Sequence, residues 1–132
     1  MSVLVLVVDD EPDMEALFRQ QFRRDVRAGR FDLAFAAGGA QALEEIGAAR
    51  GRDIILLLSD INMPGMTGLE LLRRARALRP ELPVMMVTAY GDERTRQLAL
   101  EGGAAGMLAK PIDFAALRAE IDARLAAWSA GR

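Results

Sequence analysis

Polar or charged side chains stand at the ends of several apolar runs in this sequence. Asp9 and Asp10 follow VLVLVV, Asp60 follows IILLL after one serine, Thr88 ends VMMVT, and Lys110 follows GMLA. If these runs are strands of one parallel sheet, their carboxyl ends meet at one edge, where open sheets bind ligands. The sequence then brings three carboxylates, a hydroxyl and an ammonium group together. The end of the second run, AAGG, offers no such group.

Three converging carboxylates repel each other, so the predicted cluster needs a cation. The chain has no His and no Cys, which excludes thiolate and imidazole metal sites. Oxygen ligands alone favour Mg²⁺, Mn²⁺ or Ca²⁺. Mg²⁺ usually takes one or two protein carboxylates, several waters and a phosphate oxygen. The chemistry that this pattern indicates is phosphoryl transfer.

A carboxylate can itself be the nucleophile of such a reaction and form an aspartyl phosphate. The metal and Lys110 would then neutralise charge on the transferring group, and Thr88 would donate a hydrogen bond to it. Glu11, in contrast, is explained by the preference of acidic residues for a helix N-terminus. We expect Glu11 to contribute at most from outside the ligand shell.

Length and composition favour one globular domain. The chain has 132 residues, of which 52% are hydrophobic and 27% charged, with a net charge of −2. The charge balance argues against a direct nucleic-acid binder, which carries a basic surplus. No apolar run approaches the ~20 residues of a membrane span, and the N-terminus lacks the basic region of a signal peptide. We therefore expect a cytoplasmic protein without membrane contact.

Five apolar runs alternate with segments of helical periodicity. The runs predict strands at Val3–Val8, Phe31–Ala36, Ile54–Leu58, Val84–Thr88 and Gly106–Ala109. The first and third runs are apolar without alternation, which is typical of strands buried on both faces of a parallel sheet.

Apolar residues at helical spacing predict one helix after each strand. The helices run from Pro12 to about Gly29, over Ala40–Ala49, through GLELLRRARAL before Pro80, over Asp92–Glu101, and onward from Asp113. In the third helix we expect Leu69, Leu72 and Leu78 to face the core. The repeated strand–helix order predicts an α/β fold, a doubly wound five-stranded parallel sheet with helices on both faces.

Four motifs together resemble the receiver domain of two-component response regulators. They are LVVDDEP, LLLSDINMPGMTGLELL, VMMVTAY and GMLAKPID, and the match spans essentially the whole chain. Their key residues are separated by 50 positions (Asp10 to Asp60), 28 (Asp60 to Thr88) and 22 (Thr88 to Lys110). The resemblance implies a flavodoxin-like fold with strand order 2-1-3-4-5. It also implies a single receiver domain over residues 1–132, without an effector domain.

The same resemblance implies that Asp60 accepts a phosphoryl group from the phosphohistidine of a histidine kinase or a histidine phosphotransfer protein. A chain without His agrees with a donor supplied by another protein. Asp10 and Asp60 would bind Mg²⁺ directly, helped by the backbone carbonyl of Asn62, with Mn²⁺ as the alternative ion. Asp9 would act mainly through a bound water.

The resemblance also implies a switch around the phosphoacceptor. Lys110 would contact the phosphoryl group, the Lys110–Pro111 peptide would be cis, and Thr88 would move toward the phosphoryl group. Receivers usually carry Tyr or Phe three residues before this lysine, where this chain has Met107. An aromatic side chain therefore cannot swing at that position.

Two residues after Thr88, Tyr90 is a second candidate for the switch, with Ala89 between them. Either Met107 repacks gradually or Tyr90 takes the aromatic role. Asn62 and Tyr90 each lie two residues after a site residue and would gate access of water and donor. An ordinary loop Asn and an exposed Tyr explain the same pattern equally well.

The output that the resemblance implies is a changed face at the fourth helix, fifth strand and fifth helix, which would bind a partner protein or form a homodimer. A degenerate receiver that binds partners without phosphorylation is one alternative. Another is an aspartyl-phosphate phosphatase-like enzyme, which typically carries a second Asp where this chain has Asn62. A flavodoxin would need a Ser/Thr/Gly-rich phosphate loop where this chain has DDEPD.

Arginines crowd the first predicted helix and its exit, at Arg19, Arg23, Arg24, Arg27 and Arg30. They form either a solvated face or a docking patch. In the family that the motifs resemble, the first helix is where kinases dock.

Overall fold

A computed structural model describes residues 3–48, 53–89 and 93–131 of the chain. Its five strands are β1 (Leu4–Val8), β2 (Asp32–Ala36), β3 (Ile54–Asp60), β4 (Val84–Thr88) and β5 (Gly106–Ala109). All strand pairs are parallel. The order is β2-β1-β3-β4-β5, which confirms the predicted doubly wound sheet.

The described residues form six helices. They are α1 (Asp13–Gln21), α2 (Arg23–Arg27), α3 (Gly39–Gly47), α4 (Gly68–Leu78), α5 (Glu93–Glu101) and α6 (Phe114–Ala130). The fourth and fifth predicted helices therefore correspond to α5 and α6. Ala49 and Asp92, at predicted helix ends, lie outside the described residues.

The first predicted helix is wrong in one respect, because it bends at Phe22 and becomes α1 and α2. Phe22 leaves the helical region with φ −111° and ψ 18°. Its ring is fully buried and lies 5.7 Å from the Phe31 ring and 5.9 Å from the Phe114 ring. The bend accompanies the burial of Phe22 and of Asp25 in the next turn. Helical periodicity alone does not register such long-range ring contacts.

The core has two layers, one on each face of the sheet. Leu4, Leu6 and Val8 of β1 face a layer built from α3, α4 and α5. Val5 and Val7 face the other layer, which contains Phe18 of α1 and Leu117 of α6. This double burial explains why the first strand reads as a continuous apolar run. It also shows that β1 is an interior strand of the sheet, between β2 and β3.

One predicted core residue of α4 is exposed. Leu72 is buried and Leu69 packs against the core, but Leu78 is 53% exposed. Leu78 is the last residue of α4, where the helix has run past the core that Leu71 and Ala75 fill. Helical periodicity predicts which face of α4 turns toward the core. It does not predict how many residues of that face the sheet covers.

None of the described helices is both long enough and apolar enough to cross a membrane.

Candidate functional site

Asp60 is the last residue of β3, at the carboxyl edge of the sheet. The strand is two residues longer than predicted because Ser59 and Asp60 continue the ladder with Met86 and Val87 of β4. The Ser59 hydroxyl also donates to the Asp60 carbonyl at 2.9 Å. Asp60 itself is only 6% exposed. Its carboxylate is thus carried by a rigid, central strand and not by a loop.

Gly68 allows α4 to begin directly against the end of β3. Its N–H donates to the Ile61 carbonyl at 2.8 Å. A Cβ at this position would lie 2.2 Å from the Asp60 carbonyl oxygen and 2.7 Å from the Ile61 Cα, and both are backbone atoms that cannot move aside cheaply. Glycine is therefore required for this approach. The loop between β3 and α4 is closed tightly behind Asp60.

Asp9, Asp10 and Asp60 form an acidic cluster, as the sequence predicts. One carboxylate oxygen from each lies within 4.8 Å of the others. Asp60 is buried, Asp9 is partly buried and Asp10 is exposed. Three oxygen ligands of this kind fit a hard divalent cation such as Mg²⁺, with one side open to solvent for waters or phosphate. Asn62 is exposed in the following loop, and the part of its carbonyl in metal binding stays a prediction.

Lys110 lies between the buried carboxylates. Its Nζ is 3.2 Å from Asp9 Oδ2 and 3.2 Å from Asp60 Oδ2. Burial lowers the pKa of Lys110, but hydrogen bonds to Asp60 and Asp9 and the charges of both outweigh it, so the pKa is raised. The ammonium group therefore stays charged and offsets part of the negative charge of the cluster.

Glu11 lies closer to this cluster than the sequence led us to expect. Its Oε1 is 3.7 Å from Lys110 Nζ, and its N–H donates to Asp9 Oδ1 at 2.9 Å. The Glu11 side chain is 64% exposed, so water screens its charge and the contact contributes little. Its backbone does more, because the bond to Asp9 orients that carboxylate.

Thr88 ends β4 and is 5% exposed. Its carbonyl accepts a hydrogen bond from the Lys110 N–H at 2.9 Å, and Thr88 pairs with Ala109 in the ladder. The two strand ends are therefore joined at the residues that the sequence singles out. Ala89 is exposed beside them, and Tyr90 lies outside the described residues.

Met107 lies on β5 opposite Met86 of β4. It is partly buried and packs against the core layer of α3, α4 and α5. The Lys110–Pro111 peptide is cis, as expected. The Met107 side chain thus joins β5, the strand that Lys110 follows, to the helices of that layer.

An open cavity of about 320 Å³ adjoins the acidic cluster on the side of β2. It is lined by Asp9 and Asp10 together with Phe35 and Gln41, and the Gln41 side chain accepts a hydrogen bond from the Ala37 N–H at 2.9 Å. The residue pattern did not predict this cavity, since the AAGG stretch after β2 has no reactive side chain. The sheet order does point to the cavity, because β2 lies beside β1 and the residues after the two strands are therefore neighbours.

The profile of the family described as response regulator receiver domain matches residues 5–122. The transcriptional regulatory protein ZraR of Escherichia coli O157:H7 is 36% identical over 125 residues, which are 95% of this chain and 27% of ZraR. The transcriptional regulatory protein PrrA of Mycobacterium tuberculosis is 36% identical over 124 residues, covering 94% of this chain and 50% of PrrA. This chain spans about a quarter to a half of the length of the curated relatives it matches.

Solved structures agree on the fold. The Vibrio cholerae chemotaxis protein CheY4 has a TM-score of 0.78 at 28% identity, over 92% of this chain and 98% of that one. A receiver domain protein of Clostridium thermocellum has a TM-score of 0.85 at 22% identity, over 98% of this chain and 99% of that one. The second likeness concerns the fold alone.

Proposed function

This chain belongs to the response regulator receiver domains, and we propose that its Asp60 is the phosphoacceptor of a two-component signalling switch. The observation that carries the proposal is the convergence of Asp60 with Asp9, Asp10 and Lys110 at the end of the central strand. The donor is the phosphohistidine of a histidine kinase or of a histidine phosphotransfer protein. This chain has no His that could serve instead.

In the transfer, an Asp60 carboxylate oxygen attacks the phosphorus atom of the donor. The P–O bond to Asp60 forms, the P–N bond breaks, and its electron pair returns to the imidazole, which takes up a proton. Lys110 places a positive charge beside the Asp60 oxygen and compensates the charge of the incoming group. Thr88 donates a hydrogen bond to the phosphoryl group from the neighbouring strand end.

Asp10 and Asp60, with the backbone carbonyl of Asn62, would hold Mg²⁺, or Mn²⁺ in its place, and Asp9 would act mainly through a bound water. A bound ion would neutralise negative charge on the transferring phosphoryl group. The acidic cluster supports this assignment because all three carboxylates present an oxygen to the same point.

The output surface is the face formed by α5, β5 and α6. Met107 connects it to the site, because it lies on β5 three residues before Lys110. Leu98 and Leu100 lie on either side of the buried Ala99 in α5 and are 42% and 47% exposed, so they point away from each other and only one of them can add apolar area to this face. A partner protein or a second copy of the chain would bind there after Thr88 and Met107 move.

Two other functions fit less well. An aspartyl-phosphate phosphatase-like enzyme needs a general acid two residues after the nucleophile, and Asn62 cannot donate a proton in that way. A degenerate receiver would not need the full set of three carboxylates and a buried lysine in contact. Self-phosphorylation and self-dephosphorylation would be weak side activities of the receiver.

The proposal is tested by incubating the protein with acetyl phosphate and Mg²⁺ and measuring its intact mass. We expect a product heavier by one phosphoryl group, which is absent with EDTA and absent in Asp60→Asn. Asp113→Asn is a matched control, because Asp113 caps α6 and does not belong to the acidic cluster. Labelling that survives Asp60→Asn would mean that another residue is the nucleophile.

A further inference from the structure

An open cavity of about 710 Å³ lies where α1 ends, beside α2 and α6. We call it the arginine groove, after the residues Arg23, Arg24, Arg30 and Arg118 that line it around Asp25. Since α1 starts at the carboxyl edge of the sheet and runs back, its C-terminal end lies at the amino edge. The arginine groove therefore lies toward the amino edge of the sheet, whereas Asp60 lies at the carboxyl edge.

Asp25 fixes the two inner arginines. It is 6% exposed, and its two carboxylate oxygens accept hydrogen bonds from Arg30 and from Arg118. Arg118 also donates to the Gln21 carbonyl at 3.1 Å, and its guanidinium lies 5.0 Å from the centre of the Phe22 ring. These contacts use only part of the five N–H donors of a guanidinium. The floor of the groove is thus preorganised and still has donors to offer.

Arg23 and Arg24 form the outer part of the groove. Both are exposed, and neither guanidinium group makes a hydrogen bond or ion pair with any residue in 3–48, 53–89 or 93–131. Asp122 is a second carboxylate beside these arginines and accepts a hydrogen bond from Arg30 at 2.6 Å. Four guanidinium groups therefore face two carboxylates, which leaves a surplus of two positive charges. This is a local reversal on a chain with a net charge of −2.

We propose that the arginine groove binds an acidic segment of a partner protein, whose Asp or Glu carboxylates pair with Arg23 and Arg24. The planar guanidinium fork matches a carboxylate through two parallel hydrogen bonds. The cavity has room for several side chains, which is more than a single phosphate needs. Among the described residues, no aromatic side chain lines the groove, so these residues offer no stacking surface for nucleic-acid bases.

Binding at this groove does not require phosphorylation, and the proposal does not depend on Asp60. None of the residues that line the groove belongs to the acidic cluster. An acidic partner would instead be held on the amino edge of the sheet while the donor reaches the carboxyl edge. The two sites can therefore be disabled separately.

The test is fluorescence anisotropy of a labelled peptide made only of Asp and Glu, titrated with the protein. Arg23→Glu/Arg24→Glu reverses the outer charges of the groove. Arg73→Glu/Arg96→Glu makes the same change of net charge at exposed positions of α4 and α5. Circular dichroism checks that both variants are folded, and acetyl phosphate labelling checks that Asp60 still reacts.

We expect saturable binding of the peptide by the wild type. The affinity of Arg23→Glu/Arg24→Glu should be about tenfold lower, because two exposed ion pairs with the peptide are replaced by repulsion between like charges. Arg73→Glu/Arg96→Glu should stay close to the wild type, and Asp60→Asn should bind the peptide as well as the wild type does. Three results would overturn the proposal. They are no saturable binding, equal weakening in both double variants, and displacement of the peptide by pyrophosphate or an oligonucleotide at lower concentration than by unlabelled peptide.

Discussion

Among the single residues of the site, Lys110 joins Asp9 to Asp60. Its ammonium group lies 3.2 Å from an oxygen of each of two buried carboxylates, Asp9 and Asp60. Those carboxylates are also the proposed ligands of the metal. Lys110 and a divalent cation therefore offer two ways of balancing the same negative charge.

Lys110→Ala is expected to destabilise the metal-free protein by about 1–3 kcal/mol, because it leaves buried carboxylates without their hydrogen-bond donor. Mg²⁺ should then raise the free energy of unfolding more in this variant than in the wild type, since no ammonium group competes for the same oxygens. Urea unfolding with and without MgCl₂ measures both effects. Lys110→Arg is the control that keeps the charge, and an equal response to Mg²⁺ in Lys110→Ala and wild type would contradict this account.

Asp25 is the second buried acid with a clear electrostatic role. Burial raises its pKa, but hydrogen bonds and charge from Arg118 and Arg30 outweigh this and hold the pKa below its ordinary value. A carboxyl whose pKa is lower in the folded than in the unfolded state stabilises the fold at pH above the unfolded value. That contribution is lost as the pH falls through the folded pKa.

Asp25→Asn should therefore lower the free energy of unfolding by about 1–3 kcal/mol near neutral pH, where charged hydrogen bonds are lost. The gap to the wild type should begin to narrow below about pH 4, where Asp25 of the unfolded chain takes up a proton, and should close as the pH falls through the lowered pKa of Asp25 in the folded protein. Urea unfolding at a series of pH values gives the difference directly, and the other acids cancel in the comparison. A gap that stays constant down to about pH 2 would show that charge on Asp25 is not the cause.

At the scale of elements, the junction of β3 and α4 decides where Asp60 is held. The strand ladder continues through Asp60, and α4 starts at Gly68, against the carbonyl of the same residue. Phosphoacceptor, strand end and helix start are therefore one packed unit.

Gly68→Ala is expected to destabilise the protein by about 1–3 kcal/mol, because the added methyl group meets backbone atoms and forces a shift. Labelling by acetyl phosphate should also fall, since the Asp60 backbone would move. Gly47→Ala is the matched control, because a Cβ there meets no atom of the described part of the chain within 4 Å. Thermal unfolding that gives the same midpoint for both variants would contradict the proposed close packing.

The two strands β4 and β5 connect the site to the output face through Met86 and Met107. With methyl-labelled methionine, the Met107 resonance should shift when Mg²⁺ and beryllofluoride are added together, because Met107 repacks as Thr88 moves. Met107→Leu identifies the resonance, and Met14 of α1, on the other face of the sheet, is the reference expected to change little. An unshifted Met107 resonance in a protein that has bound beryllofluoride would exclude a role in readout.

Some of these features could be predicted from the sequence and others could not. Asp60 and Lys110 were located because a polar residue after a buried run is conspicuous and its position follows from strand topology. The bend at Phe22 and the exposure of Leu78 could not be predicted, because both depend on what another element places nearby. For the same reason, the sequence does not predict the cavity that Asp9, Asp10 and Gln41 line. Nor does it predict the contact between Asp25 and Arg118, which are 93 positions apart.

At the scale of the whole molecule, the sheet separates two regions of opposite charge. The carboxyl edge carries the acidic cluster with Lys110, and the amino edge carries the arginine groove. A chain with a net charge of −2 thus presents a cation site at one end and a site for acidic groups at the other. The rigid central strands, buried on both faces, keep the two ends in a fixed relation.

Asp60 is the proposed acceptor of the phosphoryl group, and mapping the modified residue distinguishes it from the neighbouring acids. Borohydride reduces an aspartyl phosphate to homoserine, so the protein is treated with acetyl phosphate and Mg²⁺, reduced, digested and sequenced by mass spectrometry. We expect homoserine at position 60 and none in a sample treated with EDTA. Homoserine at Asp9 or Asp10, with Asp60 intact, would contradict this assignment.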